Sequence, residues 1–232
     1  MVETLRRNLA EVNDRIARAA VRSGRKPGEI RLMAVTKGFP RAAVESAMSL
    51  GVSLFGENRV QEAELKYLDL PGSFELHLIG HLQRNKARAA TGLFRCVQSI
   101  DKTETAAALE ARCAERGTTM DILLELNTSG ESAKSGFLSR DALRAFFDGL
   151  AGYPRLRARG LMTVGPLGGD DAAIRASFAA LRAVFEEIRS RGGLPGFDTL
   201  SMGMSGDFET AVEEGATLVR IGTALFGQRG RQ

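Results

Sequence analysis

"RLMAVTKGFP" (residues 31–40) places an apolar run, Leu32 to Val35, just before Thr36, a lysine and a turn marked by Gly38 and Pro40. An apolar run this short, bounded by turn formers, reads as a buried strand. The same unit recurs seven times along the chain: "SLFGE" (53–57), "ELHLIG" (75–80), "RCVQSID" (95–101), "MDILLELN" (120–127), "ARGLMTVG" (158–165), "DTLSMGM" (198–204) and "LVRIG" (218–222). Between the runs lie helical patterns near 40–50, 58–69, 83–91, 102–117, 139–151, 172–191 and 206–214. The clearest carries Ile174, Phe178, Leu181, Phe185 and Ile188 at steps of four, three, four and three. A further amphipathic helix, over 3–22, precedes the first run, with Leu5, Leu9, Val12, Ile16 and Ala20 on one face.

Strands that alternate with helices pair in parallel, because each crossover returns the chain to the same edge. Eight repeats predict closure into a single (β/α)8 barrel of the TIM type, an α/β fold with the first helix as an extra N-terminal element. No low-complexity linker breaks the rhythm, so residues 1–232 are drawn as one domain. An open doubly wound sheet is the alternative, though it normally has fewer strands and a switch point.

Apolar content of 44% and charged content of 26% are ordinary for a globular chain and exclude disordered, collagenous and disulfide-scaffold classes. The net charge of +4 comes from 32 basic and 28 acidic residues interleaved along the chain, which argues against a nucleic-acid partner. Arg84, Lys86 and Arg88 form the densest basic stretch and fit the exposed face of a short helix. Cys96 and Cys113 lack metal-ligand or redox spacing and read as free thiols in a strand and a helix. The charged N-terminal stretch predicts neither a signal peptide nor a membrane span, giving a cytoplasmic expectation. With no long apolar helix left over, a monomer is expected.

In a barrel, chemistry belongs at the C-terminal strand ends, and these ends are polar. They offer Thr36 and Lys37; Glu57, Asn58 and Arg59; Gly80 and His81; Asn127 and Thr128; Thr163 and Gly165; Ser201 to Ser205; Arg220, Gly222 and Thr223. In "SMGMSGDFETAVEEG" (201–215), glycines and Ser205 run from a strand into a helix, where amides and a hydroxyl point at one spot. In "LVRIGTALFG" (218–227), Gly222 permits close approach and Thr223 adds a hydroxyl. Ser205 as a plain helix cap and Gly222 as a plain turn are the competing readings. Around a closed barrel this anion corner adjoins Lys37 on the first strand. An amine beside an anion site suits a cofactor carrying both an aldehyde and a phosphate.

The stretches "AVTKG", "FGENRVQE", "HLIGHLQRNK", "GLMTVGP" and "LSMGMSGDFETAVEEGATLVRIGTALFG" resemble the pyridoxal 5'-phosphate homeostasis protein family, whose fold is similar to the N-terminal barrel of alanine racemase. The likeness runs from about residue 3 to residue 227. It implies a reversible carrier and buffer of pyridoxal phosphate in vitamin B6 homeostasis, with the cofactor on Lys37 as a Schiff base. It implies Asn58 beside the cofactor; Ser205, Gly206, Gly222 and Thr223 on the phosphate; and Arg220 facing the pyridine nitrogen. His81 and Gln83 also match the family pattern, and Lys134 in "ELNTSGESAKSGF" is a candidate second amine near the mouth.

A guanidinium only donates, so Arg220 at the pyridine nitrogen keeps that nitrogen unprotonated and the cofactor a poor electron sink. The resemblance implies that racemases add a tyrosine from a further β domain of a partner subunit. Here Tyr67 and Tyr153 lie in helical segments and read as packing residues with wet hydroxyls. A non-catalytic binding protein is therefore expected, with apo-enzymes as acceptors. A racemase-like enzyme using Lys134, His81 or a cysteine, and a cofactor-free Schiff-base aldolase, are the alternatives. His77 and His81 are four apart, but on a strand run, where that spacing does not make a zinc pair; no metal is expected.

Overall fold

A computed structural model describes residues 2–131, 134–192 and 194–228. The eight apolar runs form β1 (Arg31–Val35), β2 (Leu54–Glu57), β3 (Glu75–Leu78), β4 (Cys96–Ile100), β5 (Met120–Glu125), β6 (Leu156–Met162), β7 (Thr199–Ser201) and β8 (Leu218–Ile221). All pair in parallel, in sequence order, and β8 returns to β1 with Arg31 to Ala34 beside Leu218 to Ile221, closing the barrel. The expected (β/α)8 fold is thus observed, and the open-sheet alternative is not.

The strands stop before most of the quoted runs do. Thr36, Asn58 and Gly222 have already left the sheet, which puts these polar residues on the rim.

The helices are α1 (Val2–Arg22), α2 (Arg41–Ser49), α3 (Val60–Tyr67), α4 (Ala87–Leu93), α5 (Thr103–Arg116), α6 (Arg140–Asp148), α7 (Asp171–Ser190), α8 (Phe208–Glu213) and α9 (Thr223–Phe226). Side-chain caps fix two starts: Ser139 accepts from the Ala142 amide at α6, and Asp170 from the Ala173 amide at α7. The expected helix over 206–214 is shorter because Met204 to Asp207 form a turn. Both the Asp207 and Phe208 amides donate to the Met204 carbonyl. α9 was not foreseen, since four residues carry no readable period.

Side chains alternate across each strand. Leu76, Leu78, Val97, Ile122, Leu124, Val219 and Ile221 join the large core between strands and helices. The interior holds two small apolar layers, Met33 with Leu54 and Leu218, and Cys96 with Leu123 and Met162. It also holds a buried polar set, His77, Gln98, Ser201 and Arg220. Both cysteines are buried free thiols.

The helix ahead of the repeat, α1, lies against α8, α9 and α2. Asn8 Nδ2 donates to the Leu225 carbonyl at 2.8 Å and Arg15 Nη2 to Glu209 at 2.6 Å. No helix among the described residues is long and apolar enough to cross a membrane.

Candidate functional site

At the C-terminal rim, a cavity of about 260 Å³ opens between the ends of β1 and β8 and the loop after β7. Lys37, Ser205, Gly206, Arg220, Gly222 and Thr223 all line it, with Phe39 and Ile79 as apolar wall. Six of the seven expected cofactor residues thus meet in one place. A larger cavity, about 620 Å³, opens at the opposite end among the first residues of the strands. Its arginines are tied up in ion pairs, Arg31 with Glu75, and Arg95 and Arg159 with Asp121, so charge and position both favour the rim cavity as the reactive one.

The backbone on either side of Lys37 is clamped. Lys66, on the inner face of α3, donates all three of its protons: to the Thr36 carbonyl at 2.7 Å, to Glu57 Oε1 at 2.9 Å and to Glu62 Oε1 at 2.6 Å. The Gly38 amide donates to the same Glu62 oxygen. Thr36 Oγ1 donates to Glu57 Oε1 at 2.7 Å, so Tyr67 must donate its hydroxyl proton to Thr36, 2.6 Å away.

Burial pushes the Glu57 carboxyl above the ordinary range despite the bonds from Thr36 and Lys66. Partial burial opposes it, but the bonds from Lys66 and the Gly38 amide hold Glu62 below that range. This network corrects the reading of Tyr67 as a residue with a wet hydroxyl: it is 2% exposed and its oxygen is bonded inside the protein. Tyr153 is half-buried and stacks on Phe146.

The anion corner is built differently from the expectation of a simple helix start. Ser205 Oγ accepts from the Gly222 amide at 3.2 Å and the Ala224 amide at 3.1 Å, so the serine after β7 fastens the turn after β8. It caps neither its own helix nor a plain turn. Asp207 Oδ1 accepts from the Met204 amide. Among the described residues no acceptor takes the amides of Ser205, Gly206 and Thr223, and a Cβ placed on Gly206 meets nothing within 4 Å. Gly203 is required by close approach: its φ is +91°, and a Cβ there would stand 2.5 Å from that of Ala211 and 2.9 Å from the Phe208 Cα.

Arg220 is 4% exposed. Its Nη1 donates to Ser201 Oγ at 2.8 Å and its Nη2 to the Thr163 carbonyl at 2.7 Å. Burial lowers its pKa to about 10, against the opposing charges of Glu125 and Asp207, so it remains a cation at neutral pH. Burial, reinforced by the charge of Asp101 and opposed by Arg220, raises Glu125 to about 7. Burial likewise raises Asp207, opposed by the Met204 amide and Arg220.

The remaining candidates lie outside the cavity lining. Asn58 is half-buried at the end of β2, where its backbone abuts Gly80. His81 and Gln83 are exposed, His81 Nδ1 being 4.0 Å from Asp101. Lys134 Nζ is bonded to Glu131 at 2.7 Å and to the Gly165 carbonyl at 2.8 Å. Among the described residues no cluster of His, Cys, Asp and Glu could hold a metal ion.

The family model described as the alanine racemase N-terminal domain matches residues 4–230. The chain is 41% identical to the pyridoxal phosphate homeostasis protein of Pseudomonas aeruginosa, over 98% of this chain and 97% of that one. The structure of PipY from Synechococcus elongatus with pyridoxal phosphate bound superposes with a TM-score of 0.80 at 36% identity, covering 96% of this chain and all of the other. A structure of an unknown protein from Bifidobacterium adolescentis matches with a TM-score of 0.91 at 33% identity, over 97% of this chain and 95% of that one.

Proposed function

We propose, for a chain that belongs to the pyridoxal phosphate homeostasis protein family built on the alanine racemase N-terminal domain, that it binds pyridoxal 5'-phosphate reversibly and serves as an intracellular carrier and buffer of that cofactor. The observation that carries this reading is the convergence of an amine, a buried guanidinium and an amide-and-hydroxyl corner on one cavity. Each of the three matches a part of the cofactor: aldehyde, ring nitrogen and phosphate.

When bound, the cofactor supplies an aldehyde that condenses with an amine, with loss of water, into a Schiff base. Lys37 is the amine we assign to it, on a backbone held from both sides by Lys66 and Glu62. The amides of Ser205, Gly206 and Thr223 and the Thr223 hydroxyl receive the phosphate, while Ser205 holds the Gly222 turn in place. Asn58, at the neighbouring strand end, flanks the cofactor. Arg220 stays protonated and can only donate, so it keeps the ring nitrogen an acceptor and withholds the proton that would make the ring an electron sink.

A carrier without sustained turnover fits this lining better than a racemase. Among the described residues lining the cavity, Lys37 and Arg220 are the only ionisable ones, and Arg220 does not exchange its proton at neutral pH. Racemisation needs a second base on the opposite face of the substrate carbanion. The same reading takes residues 1–232 as one cytoplasmic, monomeric barrel domain that hands the cofactor to apo-enzymes.

The test is the visible spectrum of the purified protein with added pyridoxal phosphate, for wild type and Lys37→Ala, before and after borohydride. A yellow band that reduction fixes on Lys37 is expected, absent from the variant. An unchanged band in Lys37→Ala overturns the assignment. Steady amino-acid racemisation at ordinary enzyme rates, of about 1 s⁻¹ or more, overturns the carrier reading.

A further inference from the structure

The two anchors of Arg220 differ in kind. The Thr163 carbonyl belongs to the rim, but Ser201 is the first member of a side-chain chain that runs away from the cavity through the barrel interior. Ser201 Oγ lies 2.7 Å from Gln98 Oε1, and Gln98 Nε2 lies 2.9 Å from His77 Nδ1. His77 Nε2 is 3.6 Å from Glu75, which accepts from Arg31 Nη2 at 3.0 Å. Ser201 and Gln98 are fully buried and His77 is 7% exposed, at the floor where the basal cavity begins.

The proton directions in this chain are forced. A guanidinium only donates, so Ser201 must accept from Arg220 and spend its single proton on Gln98 Oε1. The Gln98 amide group then faces His77 with donors alone, so Nδ1 must be bare and the imidazole proton must sit on Nε2, toward Glu75. The state of a histidine at the bottom of the barrel is thereby matched to an arginine at the top. Burial lowers the His77 pKa against the pull of Glu75, with Arg31 lowering and Asp121 raising it further, which keeps Nδ1 bare at neutral pH.

We propose that Gln98 and His77 are positioning residues for the cofactor cavity: through Ser201 they fix the plane in which Arg220 presents its remaining N–H groups to the ring nitrogen. Resting on the assignment of that nitrogen to Arg220, the inference extends the binding site to side chains that touch no part of the cofactor. Two anchors define a guanidinium plane; one leaves it free to turn toward Glu125 or Asp207, the acidic groups that face it. Ser201 remains an anchor only while Gln98 takes its proton, and Gln98 keeps that orientation only while His77 offers a bare nitrogen.

The test compares His77→Leu with His77→Asn, whose side-chain oxygen can stand where Nδ1 stands. Cofactor affinity and the pH dependence of the bound cofactor's visible band between pH 6 and 9 are measured, along with crystal structures of both variants without cofactor. His77→Leu is expected to weaken pyridoxal phosphate binding about tenfold, as for a buried donor left unmet. Its band becomes pH-dependent as water reaches the ring nitrogen, and Arg220 is displaced in the crystal. His77→Asn is expected to stay within about twofold of wild type with a pH-independent band.

A folded His77→Leu protein with wild-type affinity, a pH-independent band and an unmoved Arg220 overturns the proposal. Equal damage in both variants also overturns it, since that outcome reports packing. If the wild type itself binds no pyridoxal phosphate, the functional reading fails, and the position of Arg220 in the two crystal structures still decides the coupling.

Discussion

Replacing Lys66 by methionine removes the cation on which the support of Lys37 rests. Met fills nearly the same volume, so the change isolates charge and hydrogen bonding. The lost bonds go to the Thr36 carbonyl, Glu57 and Glu62, and Glu57 has no exposure at all. The Lys66 and Glu57 side chains are only 8% and 0% exposed, so solvent screening does not soften the effect. An uncompensated buried charge of this kind costs about 3–5 kcal/mol. For a chain of this length that is a fall of roughly 6–20 °C in Tm.

The cost depends on pH with a definite sign. Without its cation Glu57 is pushed further above its unfolded value. The variant is therefore relatively strongest below about pH 4.5, where unfolded glutamates carry their protons, and it weakens as pH rises through the folded value. Glu57→Gln added to Lys66→Met removes the stranded charge and is expected to return stability to within about 1–2 kcal/mol of wild type at pH 8. Urea titrations of wild type, both single variants and the double variant at pH 5 and pH 8 complete the cycle. A Lys66→Met cost below about 1 kcal/mol at pH 8, or a double variant no better than the single, would refute the account of this network.

Glu125, raised to about 7, gives the barrel stability that is fully present below about pH 4.5 and lost as pH rises through 7. Glu125→Gln should therefore gain on wild type by about 3 kcal/mol between those limits, and parallel pH–stability curves would contradict the shift. Ser205→Ala strands the Gly222 and Ala224 amides and is expected to weaken pyridoxal phosphate binding about tenfold while costing about 1–2 kcal/mol of stability; calorimetry and equilibrium titration read both. Gly80→Ala places a Cβ 2.3 Å from the Asn58 carbonyl oxygen, so a cost of about 3 kcal/mol or more is expected, with weaker cofactor binding; a Tm within 2 °C of wild type, by the relation of about 2–4 °C per kcal/mol, would remove that contact from the account.

The barrel was legible because each strand announces itself twice, by an apolar run and by the polar residue that ends it. Lys37 and Arg220 could be placed at the rim for the same reason: one follows "LMAVT" and the other interrupts "LVRIG" at an inward position. The supports were not legible. Lys66 lies in "AELKYL", which reads as an ordinary helix surface, and only the closed barrel turns its ammonium toward Glu57. The available signal was Glu57 itself, a carboxylate at the end of a buried strand that demands a counter-charge, with Glu62 and Lys66 four residues apart on the next helix.

Gln98 and Ser201 gave a similar, weaker hint as amide and hydroxyl groups within strand runs. Ser205 lies at the strand-end corner the sequence points to, yet is used differently, because a bond from one strand-end turn to the next depends on how β7 and β8 sit side by side, which residue spacing does not encode.

The helix that precedes the repeat has one more consequence. α1 is bound to α8 and α9 by Asn8 with Leu225 and Arg15 with Glu209, partners that are 217 and 194 residues away. On a ribosome adding about 5–20 residues per second, α1 emerges roughly 10–40 s before the segments it must hold. The lysine strand waits equally long for β8, its neighbour across the closing seam. Lys37 and the corner of Ser205, Gly222 and Thr223 therefore come together only when synthesis has reached the ninth helix. A nascent or shortened chain that already displays Lys37 lacks the rest of the rim cavity, so on the proposed reading the capacity to hold a reactive aldehyde arrives in a single late step.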